Sequence, residues 1–130
     1  MTMEGGIVTN AQEKEQVSGE PMDAFTQREK AFEEKYIHDE ELYFRLIARR
    51  NRLFGLWVAG FLGYYGEKAE RYVEGVILTD VQKTHQEDVL HKVLKDLKKA
   101  KIEMSEHRLQ KQLDSCWEVA RKMIMNEEKF

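Results

Sequence analysis

Cysteine, proline and long apolar runs are scarce in this 130-residue chain. Its single cysteine, Cys116, cannot form an internal disulfide or a cysteine-built zinc site, which suggests a reducing compartment. The longest run without a charged residue, 53–66, covers 14 residues, whereas a membrane-spanning helix needs about 18 or more. Residues 1–22 contain no apolar segment of the kind found in secretion signals. We therefore expect a cytoplasmic protein without membrane insertion.

A strong excess of charge of one sign is missing as well. The chain contains 21 basic and 24 acidic residues. One of the basic residues and four of the acidic residues lie in 1–22. The rest of the chain holds 20 of each and is electrically neutral. Binding to the phosphates of nucleic acids requires a positive surface. Nucleic acid is therefore not an expected partner.

Residues 1–22 have the composition of a disordered acidic tail. They hold three of the eight glycines and the only proline, and their few apolar residues follow no period. In 23–130, by contrast, apolar residues recur at helical spacing and the intervening connections are short. We predict an all-α four-helix bundle that has a long first helix and is a monomer when free. The helices are expected at about 23–62, 67–82, 87–101 and 105–126.

The first predicted helix carries an aromatic stripe made of Phe25, Phe32, Tyr36, Tyr43, Ile47, Phe54 and Phe61. At 1.5 Å per residue this stripe would extend about 55 Å, although a compact domain of this size is only about 34 Å across. The helix must therefore break and fold back, or its N-terminal part must project, and we favour projection or conditional folding of residues 23–36 as a projecting segment. Phe54 and Phe61 would then stabilise the bundle, whereas Phe25 and Phe32 would be available to a partner.

His38 and its acidic neighbours are candidates for a metal or acid–base site. Glu34 and His38 lie one helical turn apart and could share a cation. His38 projects away from the aromatic stripe, however, and a solvated side chain is a poor setting for a shifted pKa. We therefore expect no metal site, no catalytic residue and no cofactor, and we expect Cys116 to fill the core.

Arginines occupy two faces of the first predicted helix. Arg45, Arg49 and Arg52 form an exposed stripe opposite the aromatic residues, where they are either solvated or secondary contacts to carboxylates or phosphates of a partner. Arg50 projects onto the aromatic stripe instead. It must pair inside the bundle, reach its edge or contact a ligand, and we favour pairing.

Several runs of residues resemble the zeta-type inhibitor subunits of bacterial ATP synthase. They are FTQREKAFEEKY at 25–36, HDEEL at 38–42, ARRN at 48–51 and LFGLW at 53–57, with the helix starts EDV at 87–89 and SEH at 105–107. The ARRN run followed by LFGLW is specific, because chance would rarely place both in this order between such helices. The similarity extends over about residues 23–126.

This resemblance implies a four-helix protein whose N-terminal segment enters the catalytic interface between the alpha and beta subunits of the ATP synthase head, beside the central stalk. Rotation driven by ATP hydrolysis would then stall. Matched residue by residue, the contacts of the segment would be Phe25, Arg28, Phe32 and Tyr36. The expected protein is an inhibitor rather than an enzyme, peripherally associated with the membrane-bound ATP synthase. The alternative is a binding or scaffold protein with the same fold and no inhibitory action.

Overall fold

The structure, a computed structural model, describes residues 23–83 and 86–128, and these residues form five α-helices and no strand. The all-α class is thus confirmed, while the predicted tail, 1–22, lies outside the described residues. None of the five helices combines the length and apolar character that crossing a membrane requires. In chain order they are α1 (Ala24–His38), α2 (Glu40–Leu62), α3 (Gly66–Lys83), α4 (Gln86–Lys99) and α5 (Glu106–Glu128).

Asp39 interrupts the predicted helix 23–62, so the prediction of one long first helix is wrong. The backbone of Asp39 is extended, with φ −108° and ψ 103°, and its Oδ1 accepts a hydrogen bond from the backbone N–H of Leu42 at 3.1 Å. The N–H of Asp39 donates to the carbonyl oxygen of Lys35 at 2.9 Å. Asp39 therefore ends α1 and begins α2. A short acidic side chain suits this position, because it satisfies a free backbone amide and interacts favourably with the helix dipole.

Local hydrogen bonds also fix the other helix ends. Asp23 Oδ1 accepts from the backbone N–H of Thr26 at 2.7 Å, and α1 begins directly after Asp23. Gly63 ends α2 with a left-handed backbone, φ 76°, which glycine adopts without strain. Ser105 Oγ accepts from the N–H of Arg108 at 3.1 Å at the start of α5, as predicted. Helices α3, α4 and α5 correspond to the last three predicted helices, with ends shifted by one or two residues.

Helices α2 to α5 share a large apolar cluster, here called the main core. Gly55 lets α2 approach α3 closely, since a Cβ at Gly55 would lie 3.3 Å from the Cα of Val73. Cys116 is buried in the main core, as predicted, and its burial raises the pKa of the thiol. Phe61, which we expected to stabilise this core, is exposed and contacts the edge of Trp57. The buried members are Phe54, Val58, Val76, Val89, Leu90, Val93, Leu97, Leu109, Leu113 and Cys116.

A second apolar cluster joins α1 to α2 and α5. Phe32 of α1 enters a groove lined by Leu42 and Leu46 of α2 and by Ile124 and Met125 of α5, here called the α1 groove. The exposed fraction of Phe32 is 0%, so the interpretation that 23–36 projects from the free protein is wrong. The physical reason is that the break at Asp39 lets α1 fold back, and burial of a phenylalanine ring contributes about 1.5–3 kcal/mol.

Candidate partner-binding site

The four residues predicted to contact a partner all lie on α1, but the structure gives them different surroundings. Phe25 is 49% exposed near the start of α1, whereas Phe32 is fully buried. Tyr36 is half-buried beside the α1 groove. Arg28 is also half-buried, and its Nε has no hydrogen-bond partner among the described residues. The free protein therefore exposes Phe25 best and does not present the four residues as one open surface.

Aromatic contacts extend the α1 groove on one side. The rings of Phe32 and Tyr36 lie 5.6 Å apart between centroids. Trp117 of α5 contacts both Tyr36 and Tyr43 edge-on, with centroid distances of 6.0 and 6.2 Å. Desolvation by burial raises the pKa of the Tyr36 hydroxyl. Trp117 is therefore a natural reporter of whether α1 is docked.

Arg121 of α5 forms a polar contact with α1 that the sequence did not predict. Its Nη2 lies 3.2 Å from Oε2 of Glu29 and 3.1 Å from Oε2 of Glu118. Its Nη1 lies 3.6 Å from Oε1 of Glu33. The side chain of Arg121 is only 9% exposed. Burial lowers the pKa of Arg121, but hydrogen bonds to Glu118 and Glu29 more than offset that effect, so the net shift is upward. The guanidinium is therefore a permanent cation that links α5 to two carboxylates of α1.

Sequence signals for this contact are weak. Glu29 and Glu33 lie one turn apart on α1, which marks an acidic stripe, but such stripes are commonly solvated. Arg121 follows Glu118 by three residues and could be read as a local surface pair. Only the folding back of α1 brings the two sets together.

A second group of ion pairs holds the C-terminal end of α5. Arg49 donates two hydrogen bonds to Glu127, at 2.8 and 3.2 Å, while Arg45 pairs with both Glu127 and Glu128. Lys35 of α1 lies 3.6 Å from Glu128. The hydrogen bond from Arg49 lowers the pKa of Glu127, and the hydrogen bond from Arg45 lowers that of Glu128. The end of α5 is thus tied to both α1 and α2.

The three arginines proposed as secondary partner contacts all have carboxylates of this chain beside them. Arg45 and Arg49 face the end of α5, and Arg52 lies 3.3 Å from Glu70 of α3. These pairs are largely exposed, and exposed pairs contribute little stability. A partner can therefore compete for these arginines at low cost.

Arg50 is mostly buried, and its Nε donates a hydrogen bond to Oδ1 of Asn51 at 3.0 Å. This is the pairing inside the fold that we favoured from the sequence.

The described residues offer no site for metal chemistry. Within 23–83 and 86–128, no group of three or more histidine, cysteine or acidic side chains is placed to hold a metal ion. His38 is exposed at the end of α1, in the solvated setting expected from the sequence.

Comparison with known proteins identifies the family of the chain. The family model described as ATPase inhibitor subunit zeta matches residues 22–123, which include all of α1 and extend past Arg121. No individual curated protein matches the chain.

Proposed function

Because the chain belongs to the ATPase inhibitor subunit zeta family, we propose that it inhibits ATP hydrolysis by the catalytic head of ATP synthase. The observation that carries the proposal is the family match across 22–123, which covers α1, all buried members of the main core, and Leu42 and Leu46 of the α1 groove. Ile124 and Met125 of the groove lie just beyond the matched range.

The proposed mechanism assigns inhibition to α1. In this mechanism α1 inserts at a catalytic interface between alpha and beta subunits, next to the central stalk, and blocks rotation. Its 15 residues form a separate helix joined to α2 through Asp39, so it can move as a unit. Phe25, Arg28, Phe32 and Tyr36 supply aromatic rings and a guanidinium, the groups that most often dominate the binding energy of protein interfaces.

The proposal also specifies where the protein acts and in what form. The free protein is a monomer in the cytoplasm, and the bound protein is peripherally associated with the ATP synthase of the membrane. The partner-binding residues are Phe25, Arg28, Phe32 and Tyr36, with Arg45, Arg49 and Arg52 as secondary contacts. No nucleic acid, cofactor or membrane insertion is part of the proposal.

Titration of the full chain into the soluble ATPase head tests this proposal. Micromolar protein should slow ATP hydrolysis. Phe25→Ala should weaken inhibition about thirtyfold, because an aromatic anchor contributes ~2 kcal/mol to an interface. Phe25 is half exposed, so the variant should fold normally.

Tyr65→Ala is the matched control, because Tyr65 is also aromatic and is 81% exposed in the turn between α2 and α3. It should inhibit like the unmodified protein. Equal inhibition by Phe25→Ala and Tyr65→Ala would remove Phe25 from the interface. No inhibition by the unmodified protein would argue against the proposal itself.

A binding or scaffold protein without inhibitory action is the second candidate. The specific observation in its favour is that this chain already uses several proposed partner contacts internally, since Phe32 is buried and Arg45 and Arg49 pair with α5. A protein that binds the ATPase head without changing its rate of hydrolysis would be of this kind.

A further inference from the structure

Two different kinds of contact hold α1 against α5. The apolar contact is the ring of Phe32 in the α1 groove, against Ile124 and Met125. The polar contacts are Arg121, which faces Glu29 and Glu33, and Lys35, which lies 3.6 Å from Glu128. Both kinds of contact must break before α1 can leave α5 and Phe32 can reach another protein.

We propose that α1 is an autoinhibitory latch, closed in the free protein by Arg121 and the α1 groove, and that the ATPase head binds the open form. This inference rests on the proposed function, because it concerns how the inhibitory helix becomes available. In the closed form Phe32 fills the groove of its own chain. In the open form the same ring is free to enter the interface of the partner.

The joint at Asp39 allows such an opening without loss of the rest of the fold. Asp39 caps α2 through the Leu42 N–H, and this hydrogen bond does not depend on where α1 lies. The main core contains no residue of α1 among its members in the described chain. Rotation about the extended backbone of Asp39 can therefore release α1 while α2 stays intact.

The latch lowers the apparent affinity for the partner. When only a fraction of the molecules is open, the apparent dissociation constant equals the intrinsic one divided by that fraction. A change that weakens the closed form should therefore strengthen inhibition, up to the point where most molecules are open. Loss of a direct partner contact would instead weaken inhibition.

Arg121→Met in the full chain tests the latch, because methionine keeps the apolar stem and removes the cation. Glu29, Glu33 and Glu118 then repel one another. These acids are partly exposed, so we expect a shift of about tenfold towards the open form rather than the larger effect of a fully buried pair. Amide hydrogen exchange of the free protein should become about tenfold faster in α1 and stay unchanged in the part of α2 that faces the main core.

Arg108→Met is the matched control, because it removes the same charge from the other end of α5, where Arg108 lies over the rings of Trp57 and Phe61. It should leave exchange in α1 unchanged. Arg121→Lys keeps the positive charge but removes the planar guanidinium, so it should accelerate exchange in α1 less than Arg121→Met does. A further test uses the unmodified protein. Raising the salt concentration to about 1 M should accelerate amide exchange in α1, because the Debye length is then ~3 Å and the ion pairs are screened.

The inhibition assay separates the latch from the proposed function. Stronger inhibition by Arg121→Met, by up to about tenfold, supports the latch. Unchanged exchange in α1, or faster exchange with weaker inhibition, overturns it. If neither protein inhibits, the proposed function fails, and exchange in the free chain still decides whether Arg121 holds α1 closed.

Discussion

The buried ring of Phe32 affects both the stability of the free protein and its capacity to bind a partner. It belongs to one apolar cluster with Leu42 and Leu46 of α2 and with Ile124 and Met125 of α5, and no part of it is exposed. The ring cannot fill this groove and a partner's interface at the same time. The free energy gained by docking α1 is therefore subtracted from the free energy of any binding mode that uses Phe32.

Phe32→Ala should destabilise the free protein, contrary to what a projecting segment would predict. A buried phenylalanine typically costs about 3–5 kcal/mol when truncated to alanine. The loss of stability caused by Phe32→Ala cannot exceed the free energy of docking α1, because α1 can detach while the main core stays folded. We expect a loss towards the lower end of that range, measured by urea unfolding followed at Trp117.

Phe54→Ala is the matched control for this prediction. Phe54 is equally buried but belongs to the main core, so its truncation should lower the stability of the whole fold by about 3–5 kcal/mol. An unfolding midpoint of Phe32→Ala identical to that of the unmodified protein would show that the α1 groove is empty in solution.

Helix α1 shows which features of the fold follow from local pattern and which do not. The aromatic stripe continues across Asp39, so its periodicity fits a continuous helix as well as a broken one. The break depends on capping by Asp39 and on burial of Phe32 against α5. Of the two, only the capping residue can be recognised in the local sequence. The stop at Gly63 and the start at Ser105 were predictable because each is set by one residue type.

The candidate site was predictable to a smaller degree. Its location on one helix followed from the resemblance to the zeta family, whereas the docking of that helix followed from no local feature. Arg121 is the clearest case, because its partners Glu29 and Glu33 are about ninety residues away in the chain. Tertiary pairing of this kind leaves no spacing that a single sequence can reveal.

Asp39→Ala tests the break at the scale of the helices. Alanine cannot accept the hydrogen bond from the Leu42 N–H, and loss of an N-cap costs about 1 kcal/mol. Alanine also favours a continuous helix through position 39. The variant should therefore show higher helix content by circular dichroism and faster amide exchange in α1, as that helix swings away from α5.

Asp39→Asn is the appropriate control, because asparagine is also a good N-cap. It should keep both the helix content and the slow exchange of the unmodified protein. Equal behaviour of the alanine and asparagine variants would mean that capping at Asp39 does not determine the break.

Across the described residues as a whole, two apolar clusters share α2 and α5 but differ in how polar contacts support them. The main core is flanked by Tyr72, whose hydroxyl donates to Asp96 at 2.8 Å, and by Lys92 on the same carboxylate. The α1 groove is surrounded by ion pairs of arginine and lysine with glutamates near the end of α5. The two regions should therefore respond differently to loss of carboxylate charge.

Acid should loosen the region around the α1 groove before it unfolds the main core. The pKa values of Glu127 and Glu128 are lowered from 4.5 by Arg49 and Arg45, so their contribution to stability is complete above about pH 4.5. It is lost as the pH falls through the lowered pKa values, because the protonated glutamates no longer pair with the arginines.

Trp117 and Trp57 report on the two regions, since Trp117 packs against the α1 groove and Trp57 against the main core. In an NMR titration from neutral pH into acid, the indole signal of Trp117 should change at a higher pH than that of Trp57. The double variant Glu127→Gln and Glu128→Gln should reduce this separation, because it removes the two carboxylates whose protonation weakens the end of α5. Simultaneous change of both indole signals in the unmodified protein would show that the region around the α1 groove does not loosen before the main core unfolds.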